Sequence, residues 1–212
     1  MARRISHWTP QYIRDRWRWY RYFRRNPDVP WLSEEANEML KTLLKPTDVG
    51  IEWGSGRSTC WLARHVKHLT SVEEDTAWAE NVRNQIRQLG LHNVDYRYYA
   101  GMHLDNPEAS EYVRVADAFP DNSVDFALID GNWAREQCAI AATAKVRPGG
   151  LVIVDDIHYY IDRPTTAPAS QYGKGNLNAY WTRFLEITQG WRLVVAAQGT
   201  KDTGIWIKPP IN

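Results

Sequence analysis

Cysteine is scarce, with Cys60 and Cys138 the only two in 212 residues. A disulfide framework is therefore excluded, and the two are too far apart in sequence for paired metal-ligand spacing. No apolar run approaches the ~20 residues that cross a bilayer. The opening stretch, Met1 to Trp8, is charged and lacks the apolar segment of a secretory signal. A cytoplasmic, reducing setting is expected. Internal repeats and low-complexity tracts are missing too. Acidic side chains are nearly absent from residues 1–25, which hold eight arginines and one acid, Asp15. The remainder carries 18 basic and 24 acidic side chains, so the net charge is only +1. What the chain does have is tryptophan, eleven in all, and 43% hydrophobic residues, enough for one continuous core.

Residues 9–25 read as a helix. At about 100° per residue, Tyr12, Ile13, Trp17, Trp19, Tyr20 and Phe23 share one broad arc, with Arg14, Arg18, Arg21 and Arg25 opposite. Such a helix lies on its own domain with solvated arginines, anchors at a membrane surface, or meets a phosphate-rich partner. Asn26-Pro27-Asp28-Val29-Pro30 ends it. Ser33 then caps a second helix that opens with Glu34 and Glu35. Residues 1–46 are thus expected to form a basic, aromatic helical extension, followed by a domain over 47–212.

From Val49 onward, strand and helix signals alternate. Strands are expected at 49–53, 69–73, 94–99, 124–129 and 151–155, with helices at 58–66, 76–89, 107–119 and 134–146. Turns fall at Pro120–Ser123 and at Arg147-Pro148-Gly149-Gly150. This alternation implies an α/β fold with a parallel sheet, whose strand C-terminal ends line one ligand-binding edge. Residues 159–178, rich in proline and tyrosine, read as a long loop over that edge, a lid. A helix at 179–189 and two strands, 191–197 and 203–207, joined by a hairpin, complete the chain.

Ile51-Glu52-Trp53-Gly54-Ser55-Gly56-Arg57-Ser58-Thr59 is the most informative segment. An apolar strand ends in an acid, and two glycines then permit a tight turn whose backbone N–H groups and following helix N-terminus can face a ligand. Glu73 ends the next strand, where a nucleotide ribose finds its hydroxyl acceptor. These residues predict a nucleoside-cofactor site.

The order of motifs resembles the class I S-adenosylmethionine-dependent methyltransferases over about 160 residues, from Val49 to Lys208. Glu52-Trp53-Gly54-Ser55-Gly56 is similar to the family's first motif, and Val72-Glu73 to its second. Residues 123–131, ending in Asp130-Gly131, resemble the fourth strand, and Lys145 to Asp156 the turn and fifth strand. Asp202 to Ile207 fits the last, inserted strand. The resemblance implies a seven-stranded Rossmann-like sheet, mostly parallel with an antiparallel C-terminal strand and helices on both faces. It also implies S-adenosylmethionine as cofactor, held by Glu52, Gly54, Ser55, Gly56, Ser58, Thr59, Glu73, Asp130 and Trp133. The adenine wall is Tyr99, Ala100 and Gly101, with Asp117-Ala118 as the alternative. A dinucleotide-binding Rossmann dehydrogenase is the rival, but its fingerprint asks for glycine or alanine where Thr59 stands.

Methyl transfer is an in-line displacement, so catalysis is orientation plus removal of the acceptor's proton. Asp130, Asp155 and His158 are the expected catalytic residues at the strand edge. Asp130 with Asp155 and Asp156 is similar to the metal site of catechol-type O-methyltransferases, which implies a divalent cation such as Mg²⁺, although Asp156 replaces that family's Asn. Arg135 is expected to clamp an anionic acceptor or to be a solvated helix residue. Asp130-Gly131-Asn132-Trp133 lacks the Pro-Pro motif of nucleobase methyltransferases, so nucleic acid is not the expected partner. The expected reaction is O-methylation of a small molecule, such as a sugar or phenol. A nucleic-acid or membrane-associated acceptor, reached through the Arg-rich start, and a catalytically silent cofactor-binding protein are the alternatives.

Overall fold

The computed structural model describes residues 8–100, 106–175 and 177–210. Seven strands form one sheet: β1 (Val49–Trp53), β2 (His68–Glu73), β3 (Val94–Tyr98), β4 (Val124–Ile129), β5 (Val146–Val154), β6 (Arg192–Ala197) and β7 (Asp202–Ile207). Their order is β3-β2-β1-β4-β5-β7-β6. Strands β1 to β5 pair in parallel, and β7 is inserted antiparallel between β5 and β6. The expected α/β architecture is therefore present, including the antiparallel C-terminal strand.

Both faces of the central strands are buried, as a parallel sheet requires. Ile51, Ala127, Ile129, Val152 and Val154 point to one face, with α6 (Arg135–Lys145) and α7 (Ala179–Ile187). Leu69, Phe126, Leu128, Leu151 and Ile153 point to the other. Each of these side chains except Ala127 stabilises the fold by about 1.5–3 kcal/mol relative to its exposed state. Helices α1 (Pro10–Arg25), α2 (Glu34–Leu43) and α3 (Arg57–Ala63) cover the second face through Phe23, Ala36, Leu40, Trp61 and Leu62, with Leu32 of the α1–α2 connection among them. Residues 10–44 thus share the core of the domain they precede. Helix α4 (Thr76–Gln88) packs at the β2–β3 end, with Val82 and Ile86 against Cys60.

Three segments depart from expectation. Residues 107–119 are not one helix: a 3₁₀ turn at Pro107–Ala109 precedes α5 (Glu111–Arg114) and a second 3₁₀ turn at Val115–Ala118. Ser110 causes the break, because its hydroxyl donates to the Pro107 carbonyl and accepts from the Val113 N–H, restarting the helix. Strand β5 begins at Val146 rather than at 151. The register jumps from Val124↔Val146 to Phe126↔Leu151, so Arg147 to Gly150 bulge out of the pairing instead of ending the strand.

Helix α1 also turns a different face inward. Tyr12, Asp15, Trp19, Tyr22 and Phe23 are its half-buried or buried residues, whereas Ile13, Trp17 and Tyr20 are exposed. Its rotation is set by polar contacts to α2. Arg18 donates to Glu34 and Glu35 at 3.0 Å each, and the Tyr22 hydroxyl donates to Glu38 at 3.3 Å. Counting arginines as the solvated face misses this, because one of them, though exposed, pairs with α2.

Candidate functional site

At the end of β1 the chain turns sharply. Gly54 has φ +88°, and a Cβ there would lie 2.3 Å from the Gly131 backbone nitrogen. Gly131 is crowded in turn, since its Cβ would meet the Tyr112 hydroxyl at 2.2 Å. The β1 and β4 ends therefore approach as only two glycines allow. Gly56 differs: its backbone is extended, and a Cβ would meet only the Trp78 ring, at 3.7 Å. Helix α3, which follows, has seven residues. The loop's own backbone, rather than a long helix dipole, is thus the anchoring surface.

Two buried acids shape that loop. Glu52 accepts from the Thr59 and Ser71 hydroxyls, both at 2.6 Å, and Thr59 Oγ1 accepts from the Gly56 N–H at 2.9 Å. Thr59 thus has a positive task, bridging strand and loop, at the position where a dinucleotide fold places a small residue. Glu73 accepts the Ser55 N–H through one oxygen and the Glu74 and Asp75 N–H groups through the other, all at 2.9 Å. Burial, against the opposing help of the Ser58, Ser71 and Thr59 hydroxyls, pushes Glu52 up to about 7. Burial, and then the charge of Glu74, raises Glu73 to about 7. Glu52 Oε1 is buried and has no partner among the described residues.

Above these residues lies a cavity of about 530 Å³, within the range of small-molecule sites. Gly54 to Ser58, Glu73, Asp130 and Gly131 form its floor, and Trp31, Ala77 and Trp78 its wall. Trp31 and Trp78 stack with ring centroids 6.4 Å apart, and Arg57 lies 4.9 Å over the Trp31 ring. Neither tryptophan stood out in the sequence, where nothing in the local pattern around them marks a ligand. Among the described residues four acids line the cavity, Glu73, Glu74, Asp75 and Asp130, against one arginine. That electrostatic balance suits a ligand carrying a sulfonium and an ammonium, and opposes a pyrophosphate. Open glycine-lined backbone, a strand-end acid, an orphaned buried carboxyl oxygen and aromatic walls all fit S-adenosylmethionine.

The expected residues divide into three groups. Gly54, Ser55, Gly56, Ser58, Glu73 and Asp130 line the cavity. Glu52 and Thr59 lie beneath it, fully buried. Tyr99, Ala100 and Trp133 do not line it. Tyr99 and Trp133 pack on the hydrophobic core, with Trp133 5.8 Å from the Tyr112 ring. Ala100 is exposed, and Gly101 lies outside the described residues. Asp117, the alternative, forms an exposed ion pair with Arg114 at 2.9 Å.

At the ends of β4 and β5 the carboxylates do gather, but a lysine holds them. Because β7 runs antiparallel, its start lies beside the C-terminal end of β5, which brings in Lys201 and Thr203. The Lys201 ammonium bonds to Asp155, lies 3.4 Å from Asp156 and donates to the Trp31 carbonyl at 2.5 Å. Thr203 donates to the other Asp155 oxygen at 2.6 Å. The expected divalent-cation set of Asp130, Asp155 and Asp156 thus gains no support: both oxygens of Asp155 are engaged, and the Lys201 ammonium stands within the cluster. Among the described residues, no group of three or more His, Cys, Asp or Glu side chains is arranged to hold a metal.

Asp155 and His158, the other expected catalytic residues, lie apart from the described cavity lining. Asp155 is 1% exposed and does not line the cavity. His158 is buried, accepts the Asp202 N–H through Nδ1 at 3.3 Å, and is shifted below its ordinary value by burial. It is a neutral core histidine. The described part of the 159–178 loop, expected as a lid, contributes nothing to the cavity lining and packs down instead through Gln171, whose N–H meets the His158 carbonyl at 2.8 Å.

Asp130 alone of these keeps its place, its side chain 26% exposed on the cavity wall. Burial and then the charge of Asp155 push its carboxyl up to about 8, against the pull of Arg135 and Lys201. Arg135 is neither an acceptor clamp nor solvated. It is buried, donates to the Gly131, Asp155 and Asp130 carbonyls at 2.8, 2.5 and 2.8 Å, and staples the β4 and β5 ends together. Cys138 is fully buried beside it.

Comparison with known proteins agrees with this geometry. Residues 51–157, half of the chain, match the family described as a methyltransferase domain. A 48-residue stretch is 42% identical to the protein-L-isoaspartate O-methyltransferase of Saccharophagus degradans, spanning 23% of this chain and 22% of that protein. Among solved structures, an rRNA methylase from Streptococcus thermophilus has a similar fold, with a TM-score of 0.55 at 11% identity, covering 83% of this chain and 97% of that one. A candidate O-methyltransferase from Klebsiella pneumoniae has the same TM-score, 0.55, at 17% identity, covering 94% and 90%. At such identities these structures establish the fold alone. The matched family, the seven-stranded sheet and the acid-lined glycine cavity together make this chain a member of the methyltransferase-domain family, a class I S-adenosylmethionine-dependent methyltransferase.

Proposed function

We propose that the protein methylates a hydroxyl oxygen of a small molecule, a sugar or a phenol, with Asp130 receiving the acceptor's proton. The observation that carries this reading is the contrast at the strand edge. Among the expected catalytic residues Asp130 alone lines the cavity, while Asp155 is closed by Lys201 and Thr203. When bound, S-adenosylmethionine supplies an electrophilic methyl. The backbone of residues 54–58 and the Glu73 carboxyl would hold it, with the orphaned Glu52 oxygen buried beneath the loop. Asp130, with its carboxyl near 8, is matched to accept a hydroxyl proton close to neutral pH. Trp31 and Trp78 exclude water and present flat faces to a sugar or phenolic ring.

The test follows release of S-adenosylhomocysteine across sugars, phenols and small amines. A hydroxylated acceptor is expected to turn over, with kcat rising through about pH 8 as Asp130 loses its proton. Asp130→Asn is expected to lower kcat by about 10²–10⁴ while S-adenosylhomocysteine still binds. Turnover confined to amines, or an undiminished Asn variant, would remove the reading. Transfer to a membrane-associated acceptor is the second reading, and the outward face of α1 favours it.

A further inference from the structure

The residues that α1 turns away from its own domain form a surface of specific chemistry. Ile13, Trp17 and Tyr20 are 51%, 59% and 58% exposed. They follow one another at i, i+4 and i+7, so they make a single stripe along the helix. Arg24 continues the stripe one turn on. Arg16 borders it on one side, and Arg14 and Arg21 on the other. Arg14 and Arg18 are the only arginines of the helix paired with carboxylates among the described residues, and Arg18 is the one that points to α2. Arg21 lies 5.2 Å over the Trp17 ring and Arg16 4.8 Å over Trp19, so the guanidiniums flank aromatic faces rather than acids. The inner side of the same helix is already satisfied, by Phe23 in the core and by Arg18 and Tyr22 on α2.

From this arrangement we propose that the outer face of α1 docks on an anionic phospholipid surface, lying in the interface with Ile13, Trp17 and Tyr20 in the headgroup region. An amphipathic helix with an aromatic apolar stripe and arginine borders matches that occupant in both parts. The stripe meets acyl and glycerol carbon, and the arginines meet phosphate and carboxylate headgroups. The alternatives match one part each. A second copy of this chain, seated face to face, would set arginine against arginine. A nucleic-acid backbone would satisfy the arginines and leave the apolar stripe opposite phosphates. Among the described residues no helix is long and apolar enough to cross a membrane, so this contact is peripheral. It is independent of which acceptor is methylated.

Removing residues 1–25 would strip Phe23 from the core, so the test changes only outward side chains in the full chain. One variant carries Ile13→Ser, Trp17→Ser and Tyr20→Ser, and another carries Arg21→Ser and Arg24→Ser. The wild type is expected to co-sediment with vesicles of phosphatidylcholine containing about 30% phosphatidylserine, and to bind pure phosphatidylcholine at least tenfold more weakly. Each variant is expected to lose roughly tenfold or more in partitioning, with an unchanged melting temperature and unchanged S-adenosylhomocysteine binding. The proposal is overturned if the wild type ignores anionic vesicles, if it binds an RNA or DNA oligonucleotide in their place, or if the folded variants partition as well as wild type.

Discussion

At the ends of β1 and β2, Glu52 and Glu73 are buried among hydroxyls and backbone N–H groups, with no cation bonded to either among the described residues. At the end of β5, Asp155 is just as buried but is closed by the Lys201 ammonium and the Thr203 hydroxyl. Carboxylates at the ends of neighbouring strands therefore do opposite work. The first pair is left wanting positive charge, beside the cavity that a sulfonium would enter. The second is neutralised by the fold itself and serves to lock β5, β7 and the Trp31 segment together. Internal neutralisation separates a binding acid from a structural one.

The largest expected effect tests the closed side. Lys201→Met leaves Asp155 buried without its cation, and should destabilise the protein by about 3–5 kcal/mol in urea unfolding. A loss below about 1 kcal/mol would mean that the ammonium is not what holds this edge. Smaller, and on the open side, is a dependence of stability on pH. Glu52 and Glu73 are raised to about 7 and Asp130 to about 8, so between about 4 and 8 the fold retains protons that the unfolded chain has released. The stability from these three groups is full at the acidic end of that window and falls as pH rises through it. Glu52→Gln should therefore lose less stability than wild type between about pH 5 and pH 8, and equal losses would show that Glu52 titrates normally. The smallest effect is none at all: with Lys201 in the carboxylate cluster, EDTA should leave turnover unchanged. Restoration of an EDTA-treated enzyme by Mg²⁺ would reopen the metal site.

The same division explains what could be read before the fold was known. Gly54, Ser55, Gly56 and Glu73 were legible because their chemistry is local: strand, tight turn and second-strand acid lie within about twenty residues, and parallel pairing fixes the rest. The parallel sheet followed from alternation, and the inserted antiparallel β7 from the family resemblance. Lys201 was not legible, since it reaches Asp155 across 46 positions of sequence, and only the antiparallel course of β7 brings it there. Trp31 belongs to the segment before α2 and meets Trp78 only after residues 10–44 fold onto the sheet. Arg135 reads as a surface helix residue until three backbone carbonyls converge on it. In α1, amphipathic spacing gave the helix but not its rotation, which Arg18 sets by pairing with Glu34 and Glu35.

Calorimetric titration of the purified protein with S-adenosylhomocysteine and, separately, with NAD tests the acid-lined cavity most directly. Saturable heat is predicted for S-adenosylhomocysteine and none for NAD, with Glu73→Ala weakening the former. Saturable heat for NAD and silence for S-adenosylhomocysteine would contradict the assignment of the site.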